Sequence, residues 1–131
     1  MAANLDTLKQ GYEAFSKGDI ETATESWADD IVWEGPNSED VPGGGEHAGK
    51  EAALKTLQEA VGAWDEFSLS PDEFYEGSDT VVVLGHANAK KGDQSAETPI
   101  VHIWRFGDDG KVKRFQSLTD TLQSARMLGI V

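Results

Sequence analysis

At 131 residues the chain suffices for one domain and not two, and four Trp, five Phe and two Tyr can fill a core. Acidic residues outnumber basic ones 24 to 11, a formal charge of −13 that repels phosphate backbones and anionic lipid, so neither nucleic acid nor membrane is an expected partner. The absence of cysteine excludes disulfides, thiolate metal sites and a cysteine nucleophile. No apolar run approaches the ~20 residues of a membrane span. Residues 1–10 lack the basic and apolar regions of a signal peptide, which makes a cytoplasmic protein the expectation.

Leu5, Leu8, Tyr12 and Phe15 recur as one stripe of an amphipathic helix, with Asn4 as its N-cap. Gly18 ends that helix, and Asp19 caps a second one striped by Ile20, Ala23 and Trp27. Asp30-Ile-Val-Trp-Glu34 reads as a short strand stopped by Gly35-Pro36. Residues 35–49 are rich in Gly, Pro and acids and are expected to form a long loop. A third helix covers about residues 50–63, striped by Leu54, Leu57 and Val61.

From residue 67 the pattern turns to strands. Phe67 and Leu69 alternate with Ser68 and Ser70 until Pro71 interrupts, which predicts a bent or bulged strand. Turns at 76–79, 90–94 and 107–110 then separate strands over 80–89, 95–106 and 111–118, and a short helix closes the chain over 120–128. Helices first and an antiparallel meander after them predict an α+β fold, helices on one face of a curved sheet. Residues 1–131 form a single domain in this reading, without repeat or linker.

His102 lies in Pro99-Ile-Val-His-Ile-Trp-Arg-Phe106, a run apolar on both parities. Such a strand is buried on both sides, so the imidazole is largely removed from water whichever way it points. It is either a satisfied core histidine or the polar group of a pocket.

The chain carries Tyr12-Glu-Ala-Phe15 with Gly18-Asp-Ile-Glu21, Asp29-Asp-Ile-Val-Trp-Glu34, Gly49-Lys-Glu51, Pro71-Asp-Glu-Phe74 with Val81-Val-Val-Leu-Gly85, Val101-His-Ile-Trp-Arg-Phe106 with Gly110-Lys111, and Thr119-Asp-Thr121. In order and spacing these segments resemble the SnoaL-like branch of the superfamily of nuclear transport factor 2 and ketosteroid isomerase. The resemblance implies a cone of about three N-terminal helices on a strongly curved, mostly antiparallel sheet, a pocket between them, and a homodimer through the sheet. It does not fix one function, because the superfamily holds isomerases, cyclases, hydrolases, dehydratases and binders.

The steroid isomerases place a carboxylate base just before the Pro that ends the first strand. That position is Gly35 here, so the resemblance argues against their reaction. Their protonated Asp, which donates to an enolate oxygen and serves as a general example of pKa tuning, corresponds to His102, and their Tyr donor falls on Gly11, next to Tyr12. The Arg–x–Asp of epoxide hydrolase relatives has no counterpart in residues 80–89.

By the resemblance, Trp33, Gly35, His102, Trp104, Phe115, Ser117 and Thr119 line the cavity from three strands, and Tyr12 and Phe15 close it from the first helix. An aromatic wall with few polar groups suits a small apolar or aromatic ligand, including a polycyclic one; the plainer alternative is a filled core. His102 and Asp120 are the expected catalytic pair of an isomerase- or cyclase-like proton transfer, His102 as polarising donor or acid/base and Asp120 or a bound water as base. Asp120 also reads as an N-cap of the last helix. Glu34 is assigned to the surface or to a dimer contact. A His86–His102 metal site fails on register, the loop acids Glu39, Asp40 and Glu46 with His47 have no fixed geometry, and no metal or cofactor is expected. Gly43-Gly-Gly45 lacks the Lys-Ser/Thr of a phosphate loop and suits a mobile lid. The alternative function is a non-catalytic dimeric binding or interaction module.

Overall fold

A Schellman turn ends the first helix: Asp19 N donates to Ala14 O and Gly18 N to Phe15 O, with Gly18 at φ 79. The computed structural model, which describes residues 2–130, gives this helix, α1, the bounds Ala2–Ser16. Asn4 therefore lies within α1 and does not cap it; Ala2 and Ala3, strong helix formers, extend the helix past it. A second correction concerns Trp27. Helix α2 is only Ile20–Ala23, capped by Asp19, and Trp27 opens strand β1 (Trp27–Glu34). A bulge between Trp27 and Val32 leaves both Asp29 and Asp30 exposed and breaks the alternation that would have marked the longer strand.

The segment 35–49 is not all loop. Strand β2 (Glu46–Ala48) pairs with β1, placing His47 beside Trp33. Helix α3 (Lys50–Gly62) turns Ala53 and Thr56 most deeply into the fold, while Leu54 and Leu57 are partly buried against the core. Strand β3 (Glu66–Glu76) carries the expected irregularity, between Pro71 and Glu73. Gly85 lies opposite, and a Cβ there would stand 2.1 Å from Ser70 O. Strands β4 (Thr80–Lys91), β5 (Gln94–Phe106) and β6 (Val112–Thr119) continue the antiparallel meander, and α4 (Thr121–Met127) follows.

The six strands form one curved, unclosed sheet in the order β2-β1-β6-β5-β4-β3, antiparallel throughout except where β1 runs parallel to β6. The class is α+β, as the order of the predicted elements implies. Inward side chains of the sheet, with Leu8 of α1 and Ala53 of α3, make one core cluster that includes Trp27, Ile31, Trp33, Val81, Val83, Trp104 and Phe115. No helix among the described residues is long and apolar enough to cross a membrane.

Candidate ligand cavity

Strand register builds the site. Trp33, Phe115 and Trp104 are neighbours across β1, β6 and β5, and their rings meet at centroid distances of 4.8 and 4.4 Å. One step along, His102 is paired with Ser117 on β6 and Val83 on β4. Ile100, His102, Trp104 and Phe106 are all buried on one face of β5, as their shared parity requires. Above this floor a cavity of ≈ 170 Å³ remains between the sheet, α1, α3 and α4. Tyr12, Phe15, Trp33, His102, Trp104, Phe115, Ser117 and Thr119 all lie on its wall.

Asp120 does not. Its carboxylate accepts from Gln123 N at 3.1 Å and caps α4, so the structure spends on a helix terminus the group assigned as base. Thr119 is on the wall, but its hydroxyl donates to Pro99 O. Glu34 faces outward and pairs with Arg114, which also reaches Glu46 at 3.2 Å. His86 is on the outer side of β4, beside Asp72 (2.9 Å) and Glu97 (3.7 Å), and is paired in register with Pro99 rather than His102. Among the described residues no group of three or more His, Asp or Glu converges as a metal site would require.

His102, only 6% exposed, is held by a chain of hydrogen bonds. Trp104 Nε1 donates to Tyr12 Oη at 3.0 Å, and Tyr12 Oη lies 2.6 Å from His102 Nδ1. Indole nitrogen can only donate, so the tyrosine oxygen is an acceptor there and its own hydrogen must go to Nδ1. The reverse arrangement would leave the buried phenol O–H without an acceptor. The imidazole is then the neutral Nε2–H tautomer. Among the described residues no side-chain polar atom is both fully buried and unpartnered, so Nε2–H has surface in the cavity. Burial pushes the imidazole pKa down to about 4, and burial also pushes the Tyr12 phenol up despite the bond from Trp104. Near neutral pH the site thus presents a fixed, uncharged N–H donor. Tyr12→Phe should cost about 2 kcal/mol in urea unfolding, because it leaves Trp104 N–H and His102 Nδ1 without their partner. A cost below about 0.5 kcal/mol would show that the chain of bonds does not form.

At Gly35 the structure adds a reason to the missing carboxylate. A Cβ there would stand 1.8 Å from Gly43 O, so the following loop occupies the place of a side chain. That loop is tied down by Trp33 Nε1 donating to Gly43 O (2.7 Å), Gly35 N to Gly45 O (2.9 Å) and Gly45 N to Pro36 O (2.8 Å). Pro36, Val41, Pro42 and Gly43 from it form part of the cavity wall.

Sequence reasoning missed several wall residues. Trp27 falls on a helical stripe with Ile20 and Ala23; Thr98 shares the inward parity of β5 but lies beyond Pro99, outside the apolar run. Thr98 is buried and its hydroxyl has no protein partner, so it opens to the cavity. Among the described wall residues there is no Asp, Glu, Lys or Arg.

A curved sheet closed by helices over an aromatic chamber defines a small cavity-bearing α+β protein. The chain belongs to the SnoaL-like domain family, whose sequence profile matches residues 8–115. It is similar in structure to an NTF2-like protein of unknown function from Burkholderia pseudomallei, at 30% identity and TM-score 0.88 over 98% of each chain. It is similar also to TerC, crystallised with polyporic acid, at 26% identity and TM-score 0.87 over 97% of this chain and 98% of that one. An NTF2-like protein from Burkholderia xenovorans has 28% identity and TM-score 0.79 over 97% and 96%. No curated protein matches the chain.

Proposed function

We propose that the protein binds a small, flat, largely apolar molecule that carries an oxygen acceptor, with His102 Nε2–H as its anchoring donor. The observation that carries this reading is the bond chain from Trp104 through Tyr12 to His102, which spends three buried polar groups on aiming one N–H into an otherwise aromatic chamber. TerC was crystallised with polyporic acid, an aromatic molecule that carries oxygen acceptors. A cavity of ≈ 170 Å³ slightly exceeds the ~150 Å³ that suffices for benzene and falls below the ~300 Å³ of drug-sized sites. One or two rings fit better than a polycycle. Chemistry at this site would consist of polarising a ligand oxygen by His102, with a bound water or the ligand itself as base, since the Asp120 carboxylate is engaged as a cap.

The test is calorimetric titration with 1,4-naphthoquinone and with naphthalene. The quinone should bind more tightly, and His102→Ala should weaken it about tenfold or more while leaving naphthalene unchanged. Equal quinone affinity in the variant would remove His102 from the site.

A second reading, a dimeric module working through the outer sheet face, is favoured by one observation. Tyr75 (54% exposed) and Leu118 (47% exposed) lie at the margins of a patch completed by Val82, Leu84, Val101 and Ile103. In a chain of net charge −13 this apolar patch, bordered by Arg105 and Arg114 as well as by Glu73, is where a second copy could approach with least repulsion, and it is compatible with ligand binding inside. Val101→Glu should convert a dimer to a monomer in light scattering with the fold intact. A wild-type monomer at all concentrations would end this reading.

A further inference from the structure

We infer that the cavity admits its ligand only as an electrically neutral species, so that a weakly acidic ligand such as a phenol or enol enters together with its proton. This rests on the ligand-binding reading above and concerns which form of the ligand is bound.

His102 is surrounded by uncharged groups. Tyr12 faces it from α1, Phe115 and Ser117 from β6, and Val83 from β4. The rest of the chamber is walled by such residues as Leu57 and Val61 of α3, Ser124 and Met127 of α4, and Val41 and Pro42 of the covering loop. Tyr12 is the one titratable group among these, and it is neutral. Nothing on the wall can therefore pair with a bound anion or cation, in contrast to a site that holds a carboxylate or an arginine.

His102 cannot supply the missing positive charge either. Its Nδ1 is occupied by the Tyr12 hydroxyl at 2.6 Å, whose hydrogen points at the ring nitrogen. Protonating Nδ1 would set two donors against each other and strand the phenol hydrogen, which has no other acceptor. The proton must then remain on the ligand. Holding a phenol in its neutral form costs about tenfold in population for each pH unit above its pKa, which is far less than burying an unpaired charge. The balance is one phenolate and one proton from the buffer giving one bound phenol, with its O–H bond re-formed. The phenol oxygen accepts from His102 Nε2–H. Its hydrogen has acceptors in the hydroxyls of Ser117 and Thr98, which have no protein partners and lie on the wall. Carboxylic acids, ionised far below neutral pH, and amines should be excluded by the same reasoning.

The test uses 4-nitro-1-naphthol, whose anion absorbs visible light strongly and whose neutral form does not, and its methyl ether, which cannot ionise. Adding protein to the coloured naphtholate should bleach the band. Its Kd should rise about tenfold per pH unit above the ligand's own pKa, and calorimetry in buffers of different ionisation enthalpy should show about one proton taken up. The ether should bind with a Kd independent of pH over the same range. If the ether binds but the naphthol is bound with its colour retained and no proton uptake, neutrality is overturned and the ligand-binding reading stands. If neither compound binds at any pH, the ligand-binding reading fails and takes this inference with it.

Discussion

Gly35→Asp, which restores a carboxylate where steroid isomerases carry their base, is expected to destabilise the protein by about 3–4 kcal/mol and to create no isomerase activity. The first atom of the new side chain already fails to fit. A Cβ at position 35 would stand 1.8 Å from Gly43 O, 2.8 Å from Gly43 C and 3.0 Å from Trp33 Nε1. Clearing it moves backbone, not a flexible side-chain end. The displaced segment would surrender the bonds from Trp33 Nε1 to Gly43 O, from Gly35 N to Gly45 O and from Gly45 N to Pro36 O. Each is worth about 1 kcal/mol, and the buried indole N–H left behind costs more. Because the obstacle is met at Cβ, Gly35→Ala should lose nearly as much as Gly35→Asp, although Gly→Ala at an unhindered site stabilises by about 0.4–1 kcal/mol. Denaturant unfolding of the pair checks this. An alanine variant as stable as wild type would mean the loop moves aside freely and the position could be rebuilt as a base.

The same loop shows where sequence reading stops. Gly35 could be read as a missing base from its residue type, but the backbone packed into its place could not, because that contact joins positions eight apart through a turn with no periodicity. Strand β2, three residues of Glu-His-Ala, has no alternating apolar signal and exists because the edge of β1 needs a partner. Trp27 fits a helical stripe with Ile20 and Ala23, and the bulge between Trp27 and Val32 removes the alternation that would have marked its strand. The meander was legible in contrast, since Pro71, the Gly92–Asp93 turn and Gly107–Gly110 are punctuation with fixed physical meaning. At the site, parity alone put His102 and Trp104 on one wall. That the Tyr12 hydroxyl bonds to His102 depends on the reach of one side chain from α1 and is invisible in the sequence.

Acidification should expose His102 as a stability-determining group. Its folded pKa is lowered by burial to about 4 from an ordinary value of 6.5, so between those values the unfolded chain binds a proton that the folded one refuses. Unfolding free energy therefore rises with pH through this window and falls as pH drops below 6.5; the contribution is complete near neutrality and exhausted only below about pH 4. The expected loss from this one group is about 2 kcal/mol by pH 5 and about 3 kcal/mol by pH 4. Carboxylates titrate over the lower part of that range, so the measurement is a difference. His102→Gln keeps an acceptor for the Tyr12 hydroxyl and an N–H for the cavity but has nothing to protonate. Wild type minus variant, followed by urea unfolding from pH 7 down to about 4.5, should decline with a slope approaching 1.4 kcal/mol per pH unit. A flat difference would mean that the ring titrates normally in the folded state, hence that water or a charged partner reaches it. In that case the ring would gain its charge on slight acidification, and the uncharged, tautomer-locked donor on which the ligand reading depends would be lost below about pH 6.5 instead of persisting down to about 4.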